Sequence, residues 1–370
     1  MASKVYFSDF RCKPGQSRLE KLEKLIVKAG IDTIDFTDKY VAVKLHFGEW
    51  GNLAFLRQQY ARVICDHIKA RGGKPFLTDC NTLYPGARSN SLDHLSCAYA
   101  NGYNPLATGV HTIIADGLRG TEEREIPVRG GEYVEAAKIG SAIADADIVI
   151  SISHFKGHVE VGFGGVIKNI GMGSGSKRGK MEMHSSGTPE IDTDKCIGCG
   201  MCVKNCANNG VHVVNGKAVI AESHCLGCGH CFGFCPKNAI ECKWDNGSEL
   251  INYRIAEYAA AVLQDKPAFH VSFLMDVSPL CDCDPGNDVA MIPDVGMFAG
   301  LDPVAIDQAC VDAANAQPIF ENSCAREHSH VSGKHDLFHT IHPETNWEAG
   351  LEHAQKLGLG NREYELVTVK

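Results

Sequence analysis

Residues 147–158 read DIVISISHFKGH, and this stretch decides the fold. Asp147–Ser153 alternates β-branched and small residues without a turn former, the pattern of a strand buried on both faces of a parallel sheet. It then passes directly into the polar cluster His154-Phe155-Lys156-Gly157-His158. Towards the amino terminus, Val41–Phe47, Pro75–Thr78 and Thr112–Ala115 read as further strands, separated by helical patterns at Leu53–Lys69 and Leu92–Ala100. Ser17 and Glu20 form a capping box for an earlier helix that turns Leu19, Leu22, Leu25, Ile26 and Ala29 to a core and stops at Gly30. A hairpin is expected over Ile126–Lys138, around Gly130-Gly131. Towards the carboxyl terminus come a helix at Ile251–Leu263, a strand at Ala268–Val277 and a helix at Pro303–Ala314 capped by Asp302. This alternation predicts an α/β fold, a mostly parallel sheet flanked by helices.

The chain of 370 residues is 44% hydrophobic and 22% charged, ordinary values that exclude long disorder and coiled coil. It has no apolar run of the roughly 18 residues that a membrane span needs, and its start lacks a basic segment followed by an apolar one, so a cytoplasmic protein with no membrane span is expected. A net charge of −9 offers no footprint for nucleic acid, which leaves a small molecule or a protein as partner. Seventeen cysteines in tight spacings point to metal ligation rather than to disulfides.

Eight of those cysteines form two runs, Cys196, Cys199, Cys202, Cys206 and Cys225, Cys228, Cys231, Cys235. Both read C-x-x-C-x-x-C-x-x-x-C, offset by 29 residues, and the second is followed by Pro236. They resemble a bacterial two-cluster ferredoxin, a small α+β module. The resemblance implies two [4Fe-4S] clusters, one held by Cys196, Cys199, Cys202 and Cys235, the other by Cys225, Cys228, Cys231 and Cys206. Ala207 stands where the first run would usually carry proline, which touches a turn and not a ligand. Structural zinc is the competing reading, but it leaves the doubled spacing unexplained. A segment of this length cannot bury enough apolar surface to stand alone, so the inorganic clusters would staple it. Three segments follow: residues 1–190 as the first part of an α/β domain, 191–243 as an inserted ferredoxin domain, and 244–370 as the second part.

In open α/β sheets ligands bind beyond the carboxyl ends of the strands. Those loops are polar here: Lys44-Leu45-His46-Phe47-Gly48-Glu49, Thr78-Asp79-Cys80-Asn81, His154–His158 and Cys281-Asp282-Cys283-Asp284. Lys44, His46, His154, Lys156 and His158 are the candidate catalytic residues. The Val41–Pro85 stretch, HFKGH, Gly164-Gly165-Val166-Ile167-Lys168-Asn169, the cysteine runs, CDCDPGND and Asp302–Asp307 together resemble an iron-sulfur family labelled domain of unknown function 362. The resemblance implies an α/β domain with an embedded ferredoxin and a distant likeness to the amino-terminal domain of lactate racemase. It implies no substrate.

Gly162–Lys180 reads GFGGVIKNIGMGSGSKRGK. As a glycine-rich basic loop it would offer amide donors and cations to a phosphate, such as that of a flavin mononucleotide, with Gly164, Gly165, Lys168, Asn169, Lys177, Arg178 and Lys180 as contacts. It lacks the Walker and dinucleotide spacings. His154, His158, Cys281 and Cys283 are the candidate ligands of a further metal, since imidazole and thiolate suit zinc, nickel or iron. The irregular group His328, His330, His335, His339 and His342 reads as a loop near the crevice. Cys12, Cys65, Cys80, Cys97, Cys242 and Cys310 read as buried apolar residues.

The expected function is that of an iron-sulfur oxidoreductase. Its clusters would pass single electrons between a redox partner protein, such as a ferredoxin or flavoprotein, and a small-molecule substrate or flavin in the crevice. Two alternatives stand beside it: a non-catalytic electron carrier or assembly factor, and a metal-dependent isomerase or lyase with structural clusters. The oligomeric state is left open.

Overall fold

The computed structural model describes residues 2–83, 86–184, 189–206, 209–225, 231, 234–242, 247–328 and 336–370. Eight strands build one sheet: β1 (Ser3–Asp9), β2 (Tyr40–Lys44), β3 (Lys74–Asp79), β4 (Thr112–Ile114), β5 (Ile148–His154), β6 (Ala268–Leu274), β7 (Gly296–Gly300) and β8 (Tyr364–Thr368). Their spatial order is β8-β1-β7-β6-β5-β2-β3-β4, and β7 alone runs against the other seven. The fold is thus the mostly parallel α/β arrangement expected.

All residues of β5 are buried, and period-two alternation sends them to different layers. Ile148, Ile150 and Ile152 join Val41 and Val43 against α1 (Arg18–Lys28) and α2 (Gln58–Ala70). Val149 joins the opposite core, packed by α4 (Val166–Ser174), α6 (Ser248–Leu263), α7 (Pro303–Asn315) and α8 (Trp347–Lys356). From β2 the chain moves outward through β3, the helix α3 (Ser91–Ala100) and β4, then returns to place β5 on the other side of β2. The β2/β5 boundary is therefore a switch point, where a crevice opens at the strand ends.

Two local expectations give way. The helix expected from Leu53 starts at Gln58, because Asn52 Oδ1 accepts from the amides of Ala54 and Phe55 and holds the segment in a turn. The glycine-rich stretch is not a loop: Gly162–Gly164 is a short strand paired antiparallel with Lys156–His158, and two helices follow, α4 and α5 (Lys177–His184). A Cβ on Gly171 would collide with the carbonyl oxygen of Ile255, and one on Gly179 would lie 2.6 Å from that of Lys138. These glycines let helices approach neighbouring backbone closely. Cys12 is exposed, whereas Cys65, Cys80, Cys97 and Cys310 are buried as expected; the side chain of Cys242 lies outside the described residues.

The cysteine-rich segment is bracketed by antiparallel pairing of Pro189–Ile191 with Ile240–Cys242 and contains a hairpin, Val211–Val214 with Lys217–Ile220. Its small core joins Val211, Ala218, Ala239 and Ile240 to Cys196, Cys202 and Cys231. From outside this segment, the Arg119 guanidinium lies over the Phe234 ring at 4.4 Å. Among the described residues, no helix is long and apolar enough to cross a membrane.

Candidate functional site

A cavity of about 600 Å³ opens at the switch point. It is lined by the ends of β2 (Lys44, His46), β3 (Asp79, Cys80) and β5 (His154, Lys156, His158), by Gly164, Gly165, Lys168 and Asn169, by Lys180, and by Cys281 and Cys283. Chain order gave no reason beyond the strand-end rule for these segments to meet. Lys177 and Arg178 are not in this lining. Lys177 is buried against Gly120, and Arg178 pairs with Glu123 at 3.1 Å and Glu125 at 2.6 Å, so half of the expected basic cluster is engaged elsewhere.

The crevice floor is a lattice of buried charges. Lys44 Nζ sits 3.0 Å from Asp79 and donates to Asn169 Oδ1 at 2.9 Å, while the Asn169 amide returns to the Lys44 carbonyl at 3.1 Å. Burial pulls the Lys44 pKa down, against the pull of Asp79. Asp79, pushed up by burial, is nonetheless held well below the usual carboxylate range, chiefly by Lys44. Arg88 pairs with Glu49 at 3.0 Å, and Glu49 also accepts from the Ala87 amide. His46 Nδ1 accepts from the Gly48 amide at 3.0 Å; burial and Arg88 depress its pKa well below the ordinary value, so the ring is neutral with its proton on Nε2.

His154 is spoken for at both nitrogens. Nδ1 lies 2.7 Å from Asp282 and Nε2 2.7 Å from the Met275 carbonyl, so both ring nitrogens are engaged within the protein. Lys156 completes the unit at 3.2 Å from Asp282 and 3.0 Å from the His154 carbonyl. Burial opposes the Lys156 charge, but Asp282 and Cys281 raise its pKa overall. His154 is therefore a positioning group for the 281–284 loop.

His158, Cys281 and Cys283 face one another, with one ligand atom from each within 4.8 Å of the others. Lys168 Nζ reaches Cys281 Sγ at 3.5 Å. A hydrogen bond from the Cys283 thiol, resisted by burial but helped by Lys168 and Lys156, drives Cys281 well below the ordinary thiol pKa; Cys283 as the donor is driven well above it. Burial and Lys168 likewise keep His158 neutral. The strand-end rule pointed to Glu49 but did not reveal Arg88, Glu160 or His184; Glu160 and His184 stand 3.2 Å apart at the rim. Arg88 and His184 lie in a turn and in α5, both away from the strand ends, and both are buried. Of the late histidines, His342 meets the Pro279 carbonyl at 2.8 Å, while His330 and His335 lie outside the described residues.

In the cysteine-rich segment, Cys196, Cys199, Cys202 and Cys235 line one small cavity, together with Ile191, Ala218 and Pro236. Amides of Ala218, Ala239 and Gly210 donate to the sulfurs of Cys196, Cys235 and Cys206 at 3.3, 3.2 and 3.1 Å. Of the expected second set, Cys228 lies outside the described residues.

The family described as domain of unknown function (DUF362) matches residues 41–312, more than half of the chain and every element of the crevice. The chain belongs to the DUF362 family. No curated protein matches it. Among solved structures, the lactate racemase apoprotein from Thermoanaerobacterium thermosaccharolyticum is similar at 12% identity and a TM-score of 0.42, over 81% of this chain and 54% of that one. A Thermotoga maritima protein is similar at 13% identity and a TM-score of 0.38, over 80% of this chain and 58% of its own. This DUF362 chain thus spans little more than half the length of either.

Proposed function

We propose that this DUF362 protein is a cytoplasmic iron-sulfur oxidoreductase whose crevice holds a small anionic substrate. The observation that carries the reading is the cavity shared by Cys196, Cys199, Cys202 and Cys235, three thiols from one run and the fourth from the other, with amide N–H groups aimed at two of the four sulfurs. That donor set suits a [4Fe-4S] cube, which when bound would supply one-electron transfer. A second cube would take Cys225, Cys228, Cys231 and Cys206. Exposed Ile197 and Met201 flank Cys199 and offer an apolar contact to a redox partner protein.

Lys44, Lys156, Lys168 and Lys180 bring four buried or half-buried ammonium groups to the crevice, where desolvation strengthens their hold on a carboxylate or phosphate. His46, neutral and with Nε2–H to offer, can donate a proton-bearing contact to substrate oxygen. The Arg119–Phe234 contact, with Lys177 beside Gly120 and α5 running on to Lys180, links the cysteine segment to the crevice wall. A flavin phosphate bound in this crevice would meet Gly164, Gly165, Lys168, Asn169 and Lys180, the members of the expected set that line it.

Anaerobic purification with metal analysis tests this. About eight iron atoms per chain are expected, and Cys235→Ser should remove about four of them while sparing the rest. Negligible iron with stoichiometric zinc would overturn the reading. Dithionite-reduced protein should show cluster signals in electron paramagnetic resonance that a crevice substrate reoxidises.

A further inference from the structure

We propose that His158, Cys281 and Cys283 form a third metal site, taking a zinc-type divalent cation with three protein ligands and a fourth position open to the crevice. The proposal goes beyond the cluster reading and does not depend on it. None of the three residues belongs to the cysteine runs, and all three line the large cavity.

The donor chemistry is that of a borderline-soft cation, two thiolates and an imidazole. Zinc–sulfur bonds of about 2.3 Å put tetrahedral ligand atoms roughly 3.8 Å apart. The three ligand atoms already lie within 4.8 Å of one another, so closure needs a contraction of about 1 Å at most. The number of ligands decides the type. Structural zinc is closed by four protein ligands, whereas three leave a place for water or substrate, and here that place faces a cavity of about 600 Å³.

The surroundings hold the ligands in place from outside. Asp282, between the two cysteines, is fixed by His154 at 2.7 Å and Lys156 at 3.2 Å, and its carbonyl accepts from the Glu49 amide at 2.8 Å. The Asp284 amide donates to the Cys281 carbonyl at 2.8 Å, closing the turn. Gly157 donates its amide to Ser278 at 2.9 Å, and a Cβ there would collide with the Pro279 carbonyl, so the strand carrying His158 is seated directly on the loop carrying the thiols. His158 has one contact to yield, the 3.2 Å hydrogen bond that Nδ1 accepts from the Glu160 amide. Lys168, 3.5 Å from Cys281, is placed to donate to a metal-bound thiolate and to meet an anionic group in the open position. Both sulfurs would bind the cation as thiolates, their protons passing to solvent, so that two negative charges neutralise the divalent charge.

The test uses the anaerobic, iron-loaded full chain exposed to Zn²⁺ and desalted, with zinc and iron counted together. One zinc per chain is expected with iron unchanged. Cys281→Ser/Cys283→Ser should lose that zinc and keep its iron, and His158→Gln should weaken zinc in chelator competition by more than about tenfold. Zinc-edge absorption should show two sulfurs and at least one nitrogen. Because the serine variant could fold poorly, a second measurement stays on the unaltered chain: zinc should shield Cys281 and Cys283 from maleimide alkylation. No zinc uptake, zinc retained by the double variant, absent shielding, or a Cys281–Cys283 disulfide in the anaerobic protein would each overturn the proposal. Iron counts separate these results from any failure of the cluster reading.

Discussion

Asp307, on α7, accepts hydrogen bonds from the amides of Val166 at 2.6 Å and Ile167 at 2.9 Å and so ties α7 to the first turn of α4. Burial outweighs those donors and pushes its pKa up to about 7 from 3.8. The folded state then binds more protons than the unfolded chain between about pH 4 and pH 7, and this residue lowers stability as pH rises through that window. At about 1.4 kcal/mol per unit the effect amounts to a few kcal/mol. Asp307→Asn keeps an acceptor oxygen and removes the charge. Its thermal midpoint should match the parent near pH 4 and exceed it increasingly towards pH 8; a difference independent of pH would refute this. Asp307 stood in plain view in the sequence as part of a well-capped helix, but its partners are 141 and 140 positions away, a distance no local pattern spans.

Among the elements, those with local punctuation were legible: the Ser17–Glu20 capping box and Asp302 with Pro303 mark helix starts where the structure has them. The run from Gly162 to Lys180 was not, because glycine serves loops and tight helix contacts alike and only the neighbour distinguishes them. Gly171 of α4 meets the Ile255 backbone of α6 with no room for a methyl group. Gly171→Ala should therefore lower the thermal midpoint, since overpacking costs about 1–3 kcal/mol and exceeds the roughly 1 kcal/mol gained in helix propensity. An unchanged or higher midpoint in calorimetry would show that α4 and α6 can slide apart freely.

At the scale of the whole molecule, the parallel sheet and the strand-end crevice were legible because strands such as β5 are apolar on both faces and end abruptly in polar residues. The switch point was not, since strand order is set by packing. The cysteine-rich segment enters and leaves through paired neighbours, Ile191 opposite Ile240. Removing residues 192–239 and joining these strands by a short turn should leave the large sheet folded, because paired antiparallel residues lie only about 5 Å apart. Circular dichroism and a cooperative melt would confirm it, and an insoluble or non-cooperative product would show that the segment props up its host.

The edge strands carry a consequence for the order of assembly. β1 is made first, yet it pairs only with β7 and β8, from Gly296–Gly300 and Tyr364–Thr368. During synthesis it must wait for nearly the entire chain while β2 to β5 can already associate. The loop bearing Cys281 and Cys283 also leaves the ribosome late, so the crevice gains its sulfur wall only after every cysteine of the two spaced runs has emerged.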